Sequence, residues 1–517
     1  MSTARTRREF LSTVGQGMLV VSVGTQLAGD LGLAKASAAD NDTPRAINFG
    51  SLEPLVVLMQ ETPIERLLPS LHDQLQQGTP LKSLVAAAAL ANARTFGGDD
   101  YVGYHTLMAL SPAWHMAQQL PAERQALPVF KVLYRNTNRI GEHGGHASEV
   151  LHPVKPADLS PGESSRDALR AAVAAGDLDR AERTFAAIAQ HDPRDAFDEL
   201  LYTVQDDTQV HRTVLPYRAW ELLGLVGKEH AHTMLRQSVR YCVRERPRGE
   251  PAQVLAKVLD GHQLMGRAPG DRTADDAWVE SMSMTIFGGT PEQAADAVAA
   301  ALAEGFSIDT IGEAIALASN QLVLRDTGRT ARSEWPGKPI GSVHGDSVGV
   351  HASDSANAWR NMASVGHPRN QFACLILGAY QVAQDRIQGG GDYLNLPPLP
   401  LDLPWKKLKE TSPDKLLAEL ETSIRENLQA QATNIVSHYG QLGHDPAPIF
   451  DLLLKYAISE DGALHAEKYY RTTSEEFART RPAFRWRHAI SLARVTASEY
   501  GRPAPGYAEA RELLKLG

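Results

Sequence analysis

An all-α, multi-helical fold is what this chain predicts, and three observations predict it. Apolar residues recur at three-to-four spacing in segment after segment, as in LKSLVAAAALANARTF, PEQAADAVAAALAEG and DKLLAELETSIRENLQAQATNIV. Those segments are rich in Ala, Leu, Glu and Arg, the residues that lose least on entering a helix. Alternating apolar–polar runs, which any half-buried strand would need, are nearly absent. The finer expectation is four degenerate helical units packed around a shared interior.

Taken in order, residues 1–38 read as an export signal. Thr6-Arg7-Arg8-Glu9-Phe10-Leu11 precedes a moderately apolar run from Val14 to Ala28, and Ala36-Ser37-Ala38 offers a small-residue cleavage site. This is the pattern of a twin-arginine signal, so the mature chain is expected to begin near Ala39 and to be periplasmic or secreted. That route carries proteins already folded, often with a cofactor in place. No later run reaches the roughly 18 apolar residues of a membrane span, so no integral membrane segment is expected in the mature chain.

Residues 39–388 read as a helical-repeat domain holding three of the four units. Start signals are legible, among them Thr290-Pro291-Glu292 and Ser412-Pro413-Asp414, each with proline at the first helical position. Residues 389–404, GGGDYLNLPPLPLDLP, have the Pro/Gly density of a linker, and 405–517 form the C-terminal unit. With 517 residues and 43% hydrophobic residues, the chain can bury a large core without staples. A net charge of -9 argues against a nucleic-acid partner, which demands a basic face. Only Cys242 and Cys374 are present, which excludes a cluster of thiolates around zinc or iron–sulfur.

The repeat is carried by histidines. Four of the 18 have an acid five residues upstream: Asp100 and His105, Asp206 and His211, Asp346 and His351, Glu460 and His465. The first two are followed nine residues later by Ala-preceded Trp114 and Trp220, the third eight residues later by Trp359, and the fourth lacks the Trp. An acid near the N-cap would satisfy open N–H groups, and the histidine would fall within the next turn or so. The helix dipole favours neutral imidazole there, the form that binds metal or accepts a proton.

Convergence of His105, His211, His351 and His465 would make a nitrogen-rich site for a transition metal, or supply axial ligands to a haem. His211 and His351 are the candidate catalytic residues. The sequence is thus read as an exported oxidoreductase with a histidine-lined pocket, acting on a small organic substrate. Tryptophans from the same helices would close that pocket. The alternative is a non-catalytic helical-repeat protein binding a partner on its concave face. A second alternative is a serine hydrolase, because Gly345-Asp346-Ser347-Val348-Gly349 fits the nucleophile-elbow pattern with Ser347 as nucleophile.

Two further clusters stand out. Glu142-His143-Gly144-Gly145-His146, with Glu149 and His152, is the densest set of ligand types, although the Gly-Gly pair reads as a loop. His230-Ala231-His232 reads as a surface or interface pair on a helix.

The pieces YHTLMAL, VHRTVLPYRAWELLG, VHASDSANAW and LHAEKYYRTTSEEFA, within an all-helical layout, resemble the questin oxidase-like family of helical proteins. The resemblance spreads over roughly residues 80 to 500. It implies oxidative activity on an aromatic or polyketide-like substrate and assigns no catalytic residue. The export signal departs from a nicotinamide-dependent intracellular oxidase.

Overall fold

A computed structural model describes residues 46–516 apart from 160, 161, 163, 191 and 402–407; the twin-arginine signal therefore lies outside the described residues, as does part of the 389–404 linker. The described chain is helical throughout, with 22 α-helices and, in place of strands, only isolated bridges such as Gly270 to Ser307 and Glu460 to Pro503. None of these helices is long and apolar enough to cross a membrane.

The chain divides into two compact units, the first made of residues up to Ser111, Leu133–Val204 and Arg218–Pro247, the second of Pro112–Val132, Gln205–Tyr217 and Arg248 onward. Residues 405–516 thus fall in the same unit as 248–388.

The first unit draws on α1 (Glu53–Glu61), α2 (Ile64–Gln76), α3 (Leu81–Phe96), α4 (Tyr101–Gln118), α5 (Ala126–His143), α6 (Ser165–Ala175), α7 (Leu178–Ile188), α8 (Pro193–Val204), α9 (Val210–Val226) and α10 (Ala231–Arg244). The division passes within α4, α5 and α9. Helix α3 is buried from Leu84 to Phe96. Its alanine run lets neighbouring backbones come close, and its one charge in that stretch, Arg94, is paired. Arg94 donates to Ile47 O at 2.6 Å and Glu53 Oε1 at 2.7 Å, and its Nε lies 2.6 Å from Glu149. A buried guanidinium persists only when paired in this way.

The second unit contains α11 (Glu250–Gly261), α12 (Asp276–Gly288), α13 (Pro291–Ala303), α14 (Ile308–Arg325), α15 (Val348–Val365), α16 (Pro368–Gln388), α17 (Pro413–Arg425), α18 (Gln429–Gln441), α19 (Ala447–Ser459), α20 (His465–Arg479), α21 (Trp486–Glu499) and α22 (Tyr507–Leu513). The start of α13 is the one its sequence announces: Thr290 and Gln293 bond reciprocally as a capping box, with Pro291 at the first position. Helix α14 is buried from Thr310 to Leu324. Two of its polar residues reach other helices or loops, Asn320 donating to Ser491 at 2.8 Å and Glu313 accepting the fork of Arg481 at 3.0 and 3.1 Å. Helix α15 packs on α14, α16 and α20, which places its first turns beside the start of α20.

Candidate functional site

The site is built at the start of α15. A turn of residues 341–347 leads into the helix, and Ser347 caps it, its hydroxyl accepting from Val350 N at 3.4 Å. Asp346 does not cap. It lies 2.5 Å from Arg329 and 2.7 Å from Lys338, which hold its carboxyl down at about 2. Of the four upstream acids, Asp100 serves as a cap, accepting from Gly103 N at 2.7 Å, whereas Glu460 accepts from Gly501 N and Arg502 N. The acid-to-histidine spacing therefore has no common structural cause.

Three of the four predicted histidines converge in the second unit. His351 Nε2 lies 3.2 Å from His465 Nε2, and the His211 ring is centred 6.0 Å from that of His351. His105 belongs to the first unit, where it packs on Tyr101 and Tyr104 with Nδ1 2.7 Å from Tyr101 O. Nor do the tryptophans close a pocket around the histidines: Trp359 Nε1 donates to Gln381 at 2.7 Å two turns along α15, and Trp220 stacks on Phe197.

Hydrogen-bond logic sets the state of the pair. His465 Nδ1 faces Ala463 O at 3.1 Å, and a carbonyl only accepts, so that nitrogen carries hydrogen. In neutral His465 the Nε2 lone pair is then left for His351, whose Nε2–H donates to it. The lone pair of His351 accordingly sits on Nδ1, which has no hydrogen-bond partner among the described residues. Burial first, then the positive charge of Lys468, pushes His351 down to about 4, so it is neutral at neutral pH.

The sequence reading missed the support beneath this pair. Lys131 is buried and spends its three hydrogens on Ala457 O, Glu460 O (both 2.7 Å) and the Glu467 carboxylate (2.6 Å), which fixes the start of α20. Glu467 Oε2 and His344 Nε2 are buried with no hydrogen-bond partner. Glu499 accepts from Gly345 N at 2.8 Å, and burial pushes its carboxyl up to about 7. Gly345 has to lack a side chain, since a Cβ there would stand 2.1 Å from His465 Cβ. No sequence spacing joins Lys131, Glu467 and Glu499. Gly345 opens the elbow pattern around Ser347, and the sequence shows that motif but not the neighbour that requires the glycine.

The other clusters are structural. His143 sits edge-on to Phe96, while Glu149 is shared by His146 and Arg94. His230 and His232, expected at a surface or an interface, are both buried, against Phe49 and Phe185. Apolar neighbours take up these rings. Cys242 and Cys374 are buried and form no disulfide.

Among the described residues no group of three or more His, Cys, Asp or Glu side chains is arranged to hold a metal ion. What the arrangement provides is a neutral, coupled imidazole pair in a buried setting. No protein-family model, no curated protein and no solved structure matches the chain.

Proposed function

We propose that the second unit is an enzyme acting on a small organic substrate, with the His351–His465 pair as its proton-transferring group. The observation that carries this reading is the 3.2 Å contact between the two Nε2 atoms, with His465 anchored by Ala463 O on its far side. This is the order of a nucleophile-activating relay: a base, and behind it a group that fixes the base's tautomer. His351 Nδ1 takes a proton from the substrate, and the resulting imidazolium keeps its Nε2–H bond to His465. The substrate is left as the anion. Oxidation of that anion by a separate electron acceptor gives the oxidoreductase that the family resemblance implies, and the export signal would place it outside the cytoplasm.

The test is proton exchange, which needs no electron acceptor. Wild-type protein is incubated in heavy water with a panel of enolisable carbonyl compounds, and deuterium uptake is followed by mass spectrometry. Replacing either His351 or His465 by alanine is expected to slow uptake by about 100-fold or more, whereas Ser347→Ala leaves it unchanged. Uptake that survives both histidine changes overturns the reading. So does a stoichiometric metal that is lost with His351→Ala, which would make the pair ligands, or labelling of Ser347 by a fluorophosphonate, which would make it a hydrolase.

A further inference from the structure

The register of α15 against α16 places one more chemically active group at the site. The two helices run antiparallel. A Cβ on Gly389 would lie 3.2 Å from Val348 Cγ1, Gln381 Nε2 donates to Ser355 Oγ at 3.0 Å, and a Cβ on Gly378 would lie 3.3 Å from Trp359 Cβ. Positions 378, 381, 385 and 389 thus form one seam of α16, spaced by three and four, against 359, 355, 351–352 and 348 of α15. Asp385 stands level with His351, and Ala352 beside it is too small to fill that level.

The same face of α16 meets the start of α9. Thr208 donates to Gln384 at 2.7 Å, and Thr213 to Gln381 at 3.2 Å. His211 falls between those two threonines, with its ring toward His351. Asp385, His211 and His351 are all half-buried.

We propose that Asp385 is the acid that holds the substrate's oxygen: the substrate is an enolisable carbonyl compound, with its carbonyl oxygen on the Asp385 carboxylic acid and its acidic C–H against His351. This rests on the acid–base reading of the histidine pair. In the step, the C–H bond breaks, its proton forms a bond to His351 Nδ1, and the electron pair moves onto the carbonyl oxygen. Asp385 donates a hydrogen bond to that oxygen as charge develops, which is the term that contributes most to reactions of this kind. A carboxyl can donate only while protonated. Burial, slightly offset by the hydrogen bond to Gln381, pushes Asp385 up to about 8, so the donor form dominates at neutral pH. The charged side chain next to it, Arg386, donates instead to Gly289 O at 2.8 Å. His211 and His351 are titratable groups of neighbouring segments near this level, and Glu292, Glu250, Asp207 and Arg248 act on Tyr380 of the same helix.

Phenolates mimic the enolate in shape and charge, and nitrobenzene mimics the ring without the accepting phenolate oxygen, so 4-nitrophenol and nitrobenzene serve as the probes. Asp385→Ala is expected to weaken 4-nitrophenol binding by about 10-fold or more and to slow deuterium uptake by about 100-fold, leaving nitrobenzene binding unchanged. Asp385→Asn, which keeps the shape, covers the case in which the alanine variant does not fold. It should abolish the infrared band of a protonated carboxyl that shifts when 4-nitrophenol binds to wild type. If His351→Ala stops uptake while both Asp385 variants keep uptake, phenol affinity and the infrared band, the Asp385 assignment fails and the histidine reading stands. If uptake is indifferent to His351→Ala, the underlying reading fails whatever Asp385 does.

Discussion

His105 and His351 read alike in sequence and differ in the folded chain. Each follows an acid by five residues, lies in the first turns of a helix and precedes an Ala-Trp pair. In the first unit His105 Nδ1 is tied to Tyr101 O and its ring is stacked on Tyr104. In the second, the corresponding nitrogen of His351 is left without a partner and its Nε2 meets a second imidazole. The surroundings differ too. In the first unit the buried Arg94 is met by two carboxylates, Glu53 and Glu149, and a carbonyl, whereas beneath the histidine pair Lys131 is met by one carboxylate, Glu467, and two carbonyls.

That contrast can be broken most severely at Lys131. Lys131→Met would keep the volume but strand Glu467 as a buried carboxylate beside Glu499, and leave two carbonyls without donors. A loss of roughly 3–5 kcal/mol in urea denaturation is expected. A loss below 1 kcal/mol would show that the ion pair is not what organises the second unit.

Titration of Glu499 comes next. Its folded-state pKa is raised, so the stability tied to its protonated form is complete below about 4.5 and is lost as pH rises toward 7. Glu499→Gln should match wild type near pH 4.5 and become more stable by an amount of order 3 kcal/mol above pH 7. His344 and His351 have the opposite sign. Both are depressed to about 4, so their contribution is present above 6.5 and lost as pH falls toward 4. A stability difference between Glu499→Gln and wild type that is flat from pH 5 to 8 would contradict the burial seen for this carboxyl.

The mildest effect is expected at His105 itself. His105→Gln should cost about 1 kcal/mol, the worth of one hydrogen bond and its ring contacts, and should leave deuterium uptake at the wild-type rate. A large loss of uptake would erase the distinction between the two histidines.

Helix type was legible in the sequence because 3.6-residue periodicity and caps such as Thr290-Pro291 are local. The convergence of His211, His351 and His465 was legible only as a repeat, and the same repeat wrongly suggested that all four acids cap their helices. Asp385 and Lys131 could not be found this way. A protonated carboxyl and a buried lysine are spelled like surface residues, and what makes them unusual is the helix packed opposite. Ser347 shows the reverse: a motif attractive in sequence finds an ordinary use at a helix cap.

The reach of Lys131 also bears on how the protein is made. Its partners Ala457, Glu460 and Glu467 lie more than three hundred residues downstream, and Glu499 later still. At ~5–20 residues per second, a ribosome needs roughly 20–70 s to travel from this lysine to Glu499. Throughout that interval the amine has none of its final acceptors, and the floor of the site is a pair of distant, separately synthesised strips of chain. The histidine pair therefore gains its buried support only near the end of translation.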